Sequence, residues 1–418
     1  MKHKKLLLTT AIILISITIV FFSHFEINIV YKVDKEEKRT NKNVLSMMIE
    51  TEASSGKYQK YESNEWPTEG YILNIEKSGC EQGSKLIWDE ETKKVLMIGN
   101  SSDKCYVYFD IYVEPAVLAS EYIKNLYTGT QGENNIYFHD SSLTNGANDN
   151  SYRFAGTSAS VKNYVCFGSD EEICPDEYLY RIIGVFDNRV KLIKADYALN
   201  EWLDIDGEWG HELNRVDATY LGKLTRLVYY YWNYKTPPVT VRNTWSTSLL
   251  NTVNLNTHYL ENIGSEWSSY IATTTWKVGG NTKANISETN VINAYQNEII
   301  NPVTTNTTDN ATTYDAKIGL LYTSDYGYSF PQDYWSYQFS NYVSIRNSSW
   351  MYLGESEWTI TRESGSTASN FIVSSTGIVD YISGMPSPNL VRPVFYLNDD
   401  VTFIKGNTGS ETDPYRLR

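Results

Sequence analysis

The sequence predicts an α+β ectodomain behind an N-terminal membrane helix. Three observations predict it: a long apolar run after a basic start, short β-type runs broken by turn residues, and an even number of cysteines in near pairs. Leu6–Phe22 is an unbroken stretch of 17 uncharged, mostly apolar residues, preceded by Lys2, Lys4 and Lys5. That length is at the short end of what spans a hydrocarbon core. The lysines should stay cytoplasmic and leave the remainder exported. A cleaved signal peptide would end in small residues, whereas Val20-Phe21-Phe22-Ser23-His24-Phe25 offers bulky ones. The expectation is an uncleaved, single-pass signal anchor over residues 1–25, with the C-terminal bulk outside the cell membrane.

The chain has 418 residues, more than one ordinary domain needs, so one large or two unequal domains should follow the anchor. An apolar content of 41% is enough for a core, and charged residues at 21% argue against general disorder. The formal charge is −14, and the anchor's three lysines are included in it, so the exported part is more acidic still. Such a surface repels nucleic acid and excludes it as a partner.

Cys80 lies nearest Cys105, and Cys166 nearest Cys174. In an exported chain an even count reads as disulfides, and proximity favours these two pairs over the other connectivities. Only five histidines occur and none has a ligand spacing with a cysteine, so a zinc site is not expected.

Residues 26–60 read as a polar stalk containing one short helical stretch, Val44–Ile49. Residues 61–114 read as a small β domain, with runs at Gly70–Leu73, Lys85–Trp88, Lys94–Ile98 and Cys105–Phe109. So few strands bury little, and a Cys80–Cys105 bridge should compensate.

Residues 115–149 read as a helix, Pro115–Tyr127, followed by a polar loop, His139–Asn150. Residues 150–418 form the large domain. Its clearest element is a hairpin, Leu179–Lys194, turning at Asp187-Asn188, residue types that tolerate positive φ. Helical spacing runs from Trp245 to about Tyr270, Ile318–Tyr322 is a short buried strand, and Thr304–Thr313 is a surface loop. Val391–Leu397 and Val401–Ile404 are expected to pair as closing strands.

Several strings, in order along residues 150–418, resemble a bacterial domain family. They are Tyr180-Arg181-Ile182-Ile183-Gly184-Val185, Trp245-Ser246-Thr247-Ser248-Leu249-Leu250-Asn251, Lys317 through Tyr326, Val391-Arg392-Pro393-Val394-Phe395-Tyr396-Leu397 and Gly406 through Tyr415. That family is distantly similar to the formylglycine-generating-enzyme version of the C-type lectin-like fold. Asn163 through Asp170 and Cys105 through Asp110 resemble strings of uncharacterised membrane-anchored surface proteins of Firmicutes. The resemblance implies a C-type lectin-like mixed domain with irregular loops over an antiparallel core. Formylglycine-generating enzymes hold copper with a late cysteine pair, and no cysteine follows Cys174 here, so the resemblance implies the fold without the activity.

Motifs for nucleophilic hydrolysis, zinc proteolysis or phosphate binding are absent from the sequence. Asp204, Asp206 and Glu208 could be read as a calcium loop or a glycosidase carboxylate pair. Their spacing misses the EF-hand pattern, and a solvated acidic turn accounts for them. The Asp140–Asn150 loop has the oxygen-rich makeup calcium could use, although such loops are more often turns. No other cofactor is expected.

Aromatic residues are abundant, with 34 Tyr and 11 Trp. Exposed rings stack on sugars and anchor interfaces. Tyr229, Tyr230, Tyr231, Trp232, Tyr326, Tyr328, Tyr334, Trp335 and Tyr337 are the candidates for a ligand-binding face. The expected class is a non-catalytic extracellular recognition or adhesion protein with a glycan or surface-protein ligand. A surface hydrolase using the acidic cluster and a structural module of an envelope assembly are the alternatives.

Overall fold

The computed structural model describes residues 45–63, 66–67, 70–89, 94–100, 102–113, 116–203, 211–220, 223–233, 243–282, 286–302, 311–383 and 388–418. The apolar run Leu6–Phe22 and the acidic residues Asp204, Asp206 and Glu208 lie outside them. Among the described residues no helix is long and apolar enough to cross a membrane. The chain divides into two compact units, Met1–Glu114 and Pro115–Arg418. Both are dominated by strands, and the fold is mixed α+β.

The first unit contains β1 (Leu45–Glu50), β2 (Tyr58–Lys60), β3 (Tyr71–Cys80), β4 (Lys85–Asp89), β5 (Lys94–Ile98) and β6 (Cys105–Ile111). Its sheet runs β2-β1-β6-β3, while β4 and β5 form a separate hairpin. β1 corrects the expected helix at Val44–Ile49, and residues 45–60 are part of this sheet rather than a stalk. The reason is a period of two: Met47 and Ile49 turn inward beside Val107 and Phe109, because β1 lies parallel to β6. Glu50 is buried at its end, where its carboxylate accepts hydrogen bonds from the Gly56 and Ile111 amides. The core is small, built on Met47, Ile49, Trp66, Val95, Val107 and Phe109. Cys80 and Cys105 are directly opposed across β3 and β6 and are disulfide-bonded as expected.

The second unit opens with β7 (Ala116–Leu118) and a short helix, Ala119–Lys124, within the longer helix expected there. Next come β8 (Ile136–Phe138), β9 (Tyr152–Phe154), β10 (Tyr164–Cys166), β11 (Leu179–Phe186) and β12 (Arg189–Lys194). β13 (His211–Tyr220) pairs with β14 (Lys223–Tyr230), and β15 (Thr274–Lys277) with β16 (Thr313–Ala316). β17 (Ile318–Gly319) is followed by a three-stranded meander of β18 (Glu357–Arg362), β19 (Ser369–Val373) and β20 (Val379–Ser383). β21 (Val394–Tyr396), β22 (Thr402–Ile404) and β23 (Tyr415–Arg416) complete the unit.

The central sheet runs β17-β21-β12-β11-β10-β23, with β9 added to β11 and β8 to β9. Its heart is the expected β11–β12 hairpin, where Asp187 and Asn188 adopt φ of 46° and 65°. β9 can approach because residue 184 is glycine: a Cβ there would meet the Tyr152 carbonyl oxygen at 2.2 Å. Cys166 and Cys174 form the second disulfide. β21 and β22 do not pair with each other as expected. β21 lies between β12 and β17, and β22 pairs with β7, because Phe395 and Phe403 bury against partners remote in sequence.

The helical spacing expected from Trp245 to about Tyr270 is met by a 3₁₀ turn (Trp245–Thr247), a π-helix (Leu250–Tyr259) and two short α-helices, Leu260–Ile263 and Ser265–Ser269. Asn and Thr side chains compete for the backbone here. The Asn256 amide binds the Ile318 carbonyl and amide the way a neighbouring strand would.

Candidate recognition face

The polar and aromatic candidates separate according to the period of the backbone beneath them. At the end of β14 the period is two. Tyr230 and Trp232 point inward and are fully buried, while Tyr229 and Tyr231 are half-buried. Tyr230 donates to Asn200 at 2.7 Å, and the Trp232 indole donates to the Thr359 carbonyl at 3.2 Å. Tyr326 and Tyr328 sit on a helix, Thr323–Tyr328, whose residues are all buried. The Tyr326 hydroxyl donates to the Gly377 carbonyl at 2.8 Å. Tyr230, Trp232, Tyr326, Tyr328 and Trp335 are therefore core residues, which corrects their assignment to a binding face.

Around Tyr334 the backbone winds as 3₁₀ turns, Gln332–Tyr334 and Phe339–Ser344. With three residues per turn, side chains three apart share a face. Tyr334 and Tyr337 do so: their rings pack edge to face with centroids 5.4 Å apart, and Tyr337 is 41% exposed. Trp335 turns the other way. Its indole donates to the Phe330 carbonyl at 2.7 Å, and its ring lies against Tyr137, His139 and Tyr328. One aromatic thus anchors the turn while two present a surface. Ser336, Gln338, Ser340 and Asn341 are exposed beside them, so rings and amide or hydroxyl groups share one surface segment.

Behind this segment lies a buried polar layer that reasoning from the sequence missed. Lys191 on β12 places its Nζ 2.6 Å from the Asp325 carboxylate, and both side chains are almost wholly buried. The same carboxylate oxygen accepts the Tyr322 amide at 2.9 Å. Burial pushes the Lys191 ammonium down from its ordinary value, against the pull of Asp325. Glu298 accepts from the Ser324 amide and hydroxyl at 3.1 and 2.8 Å and from Asn281 at 3.1 Å, and burial raises its pKa to about 7.

Arg153 pairs with Asp149, which also accepts from Tyr295 at 2.7 Å. Burial opposes ionisation of Asp149, and the Arg153 guanidinium outweighs it and holds the carboxyl below the usual range. His139 accepts the Ala147 amide at 3.0 Å, and burial, with the Arg153 charge, keeps it neutral. The only sequence signal for this layer was charge inside apolar runs, as in Val190-Lys191-Leu192-Ile193.

The carboxylates of the Asp140–Asn150 loop are engaged within it and its surroundings. Asp140 accepts from Ser142 at 2.9 and 2.6 Å, and Asp149 is held by Arg153, Ser151 and Tyr295. Among the described residues, no group of three or more His, Cys, Asp or Glu side chains is placed to hold a metal ion. Asp204, Asp206 and Glu208, the carboxylates of the alternative hydrolase reading, lie outside the described residues.

The two disulfides point to an oxidising, extracytoplasmic compartment. Fold and bonds together define the class: a strand-dominated α+β protein of that compartment. No family model matches the chain, and no curated protein or solved structure was found to match it.

Proposed function

We propose that this chain is a membrane-anchored, extracytoplasmic recognition or adhesion protein that binds glycan through its second unit, a C-type lectin-like domain. The observation that supports it best is the Tyr334–Tyr337 pair, held outward by a buried Trp335 and set among exposed Gln, Asn and Ser side chains. Rings of this kind cover the apolar face of a sugar, and neighbouring amides and hydroxyls bond its hydroxyl groups. The turn is pinned from both sides, since Gln332 also donates to the Thr144 carbonyl at 3.0 Å. A rigid platform limits the ordering cost of binding. The two disulfides and the Leu6–Phe22 run support the placement outside an anchoring membrane.

The test is a glycan-array screen with the full chain, repeated for the double variant Tyr334→Ala/Tyr337→Ala. Saturable binding should fall at least tenfold in the variant, with the chain still folded because Tyr337 is exposed and Tyr334 only half-buried. Binding that survives the double substitution overturns the assignment of the face. A wild-type chain that binds no glycan overturns the ligand class.

A further inference from the structure

We propose that Lys191 and Asp325 become joined by an intramolecular isopeptide bond, formed without an enzyme by attack of the lysine amine on the aspartyl carboxyl with loss of water. The two groups already stand in a reactive arrangement. Nζ lies 2.6 Å from Oδ2, and the side chains are 1% and 3% exposed. The rings of Tyr322, Tyr396, Phe186 and Trp276 surround Nζ, with centroids 4.7, 5.3, 5.4 and 5.7 Å away. Such an enclosure keeps out the water that would solvate the ammonium or hydrolyse the product. Positioning of this kind is worth effective concentrations of about 10⁵ M or more.

The elements that carry the groups are fixed independently. Lys191 lies in β12, paired on both sides by β11 and β21. Asp325 lies in the helix Thr323–Tyr328, and its carboxylate closes the helix start by accepting the Tyr322 amide.

The chemistry balances within the pair. A proton passes from the ammonium to the carboxylate along their hydrogen bond, giving an amine and a carboxylic acid. Burial disfavours the ammonium, and the neighbouring Arg153 cation disfavours it further. The Nζ lone pair then forms a bond to Cγ and pushes the carbonyl electrons onto Oδ1, while the Tyr322 amide, 2.9 Å from Oδ2, holds the protonated oxygen in place. A second proton moves from nitrogen to Oδ2, the Cγ–Oδ2 bond breaks, one water leaves, and Oδ1 becomes the amide carbonyl oxygen. The product is a secondary amide, and no oxidant or co-substrate is consumed.

The bond would tie together residues 134 apart in sequence, joining the central sheet to a remote helix. A covalent tie of that span resists pulling and proteolysis, which suits a protein held at a surface.

Mass spectrometry of the full chain, denatured and reduced, tests it. The wild-type mass should be one water below that of the sequence, and a tryptic digest should yield a branched peptide joining Lys191 to Asp325. Lys191→Met and Asp325→Ala should each restore the full mass, folded or not. Linear peptides carrying unmodified Lys191 and Asp325 in full amount would overturn the proposal and leave an ion pair. So would a water loss that persists in both variants.

Discussion

Arg362 and Arg392 are both wholly buried, yet replacing them should move stability in opposite directions. Arg392 is matched: its Nε and Nη2 each lie 2.6 Å from a Glu357 carboxylate oxygen, and Nη2 also reaches the Met351 carbonyl at 2.7 Å. Arg392→Met strands Glu357 in an apolar setting and should cost about 3–5 kcal/mol. Arg362 donates from Nε to the Val278 carbonyl at 2.9 Å, and both its Nη atoms are buried without a partner among the described residues. Desolvation pulls its pKa down to about 10. Arg362→Met removes an uncompensated cation while keeping the stem that packs, and should stabilise by about 1–2 kcal/mol. Urea unfolding of the two variants checks the opposed signs, and a loss at Arg362 equal to that at Arg392 would refute the distinction. Neither role was legible in the sequence. Arg392 appeared only within the string Val391-Arg392-Pro393, and its partner is 35 residues away. Tyr334 and Tyr337 were legible as candidates, but their separation from Trp335 depends on a 3₁₀ turn that aromatic content does not announce.

Elements were legible where turn chemistry and alternation agree locally. The β11–β12 hairpin is the example: Asp187-Asn188 supplies the positive φ values and the flanking runs supply the strands. β1 was misread because Leu45–Ile49 is too short for periods of two and 3.6 to be told apart, and its parallel partner β6 is distant in sequence. The disulfides were legible from spacing alone, and they should differ in importance. Cys80–Cys105 spans 25 residues and Cys166–Cys174 spans 8, which on loop-closure entropy corresponds to roughly 3.5 and 2.5 kcal/mol. The stronger constraint thus falls on the unit with the smaller core. Cys80→Ala/Cys105→Ala should therefore abolish hydrogen-exchange protection across residues 45–113. Cys166→Ala/Cys174→Ala should leave β11 and β12 protected, since that hairpin is held by the large core. Equal loss of protection in the two variants would show that core size does not set the difference.

At the scale of the molecule, the second unit is closed by strands drawn from its two ends. β7 at its start pairs with β22 near its finish, and β10 pairs with β23, setting Val165 beside Tyr415. Pairings of such long range carry a high loop-closure cost, and their partners cannot be read from any local window. This is why the closing segments were recognisable as strands while their pairing was not. It also makes the last residues structural. Tyr415 stacks on Phe403 with centroids 5.5 Å apart and packs edge-on against Tyr122, so the C-terminus completes the core beside the first helix of the unit. Asp413 holds the preceding turn by accepting from Asn407 and from the Thr408 amide, each at 2.8 Å. Deleting residues 413–418 removes β23, this turn and three buried side chains, Pro414, Tyr415 and Leu417. Loss of large buried side chains costs about 3–5 kcal/mol each where the site cannot collapse. In a unit of this size that should lower the thermal midpoint by roughly 5 °C or more. The expected outcome is an early loss of near-ultraviolet aromatic signal on heating, because Phe403 and Tyr122 lose their partner. An unchanged midpoint in the truncated chain would mean that β7 and β22 close the unit unaided.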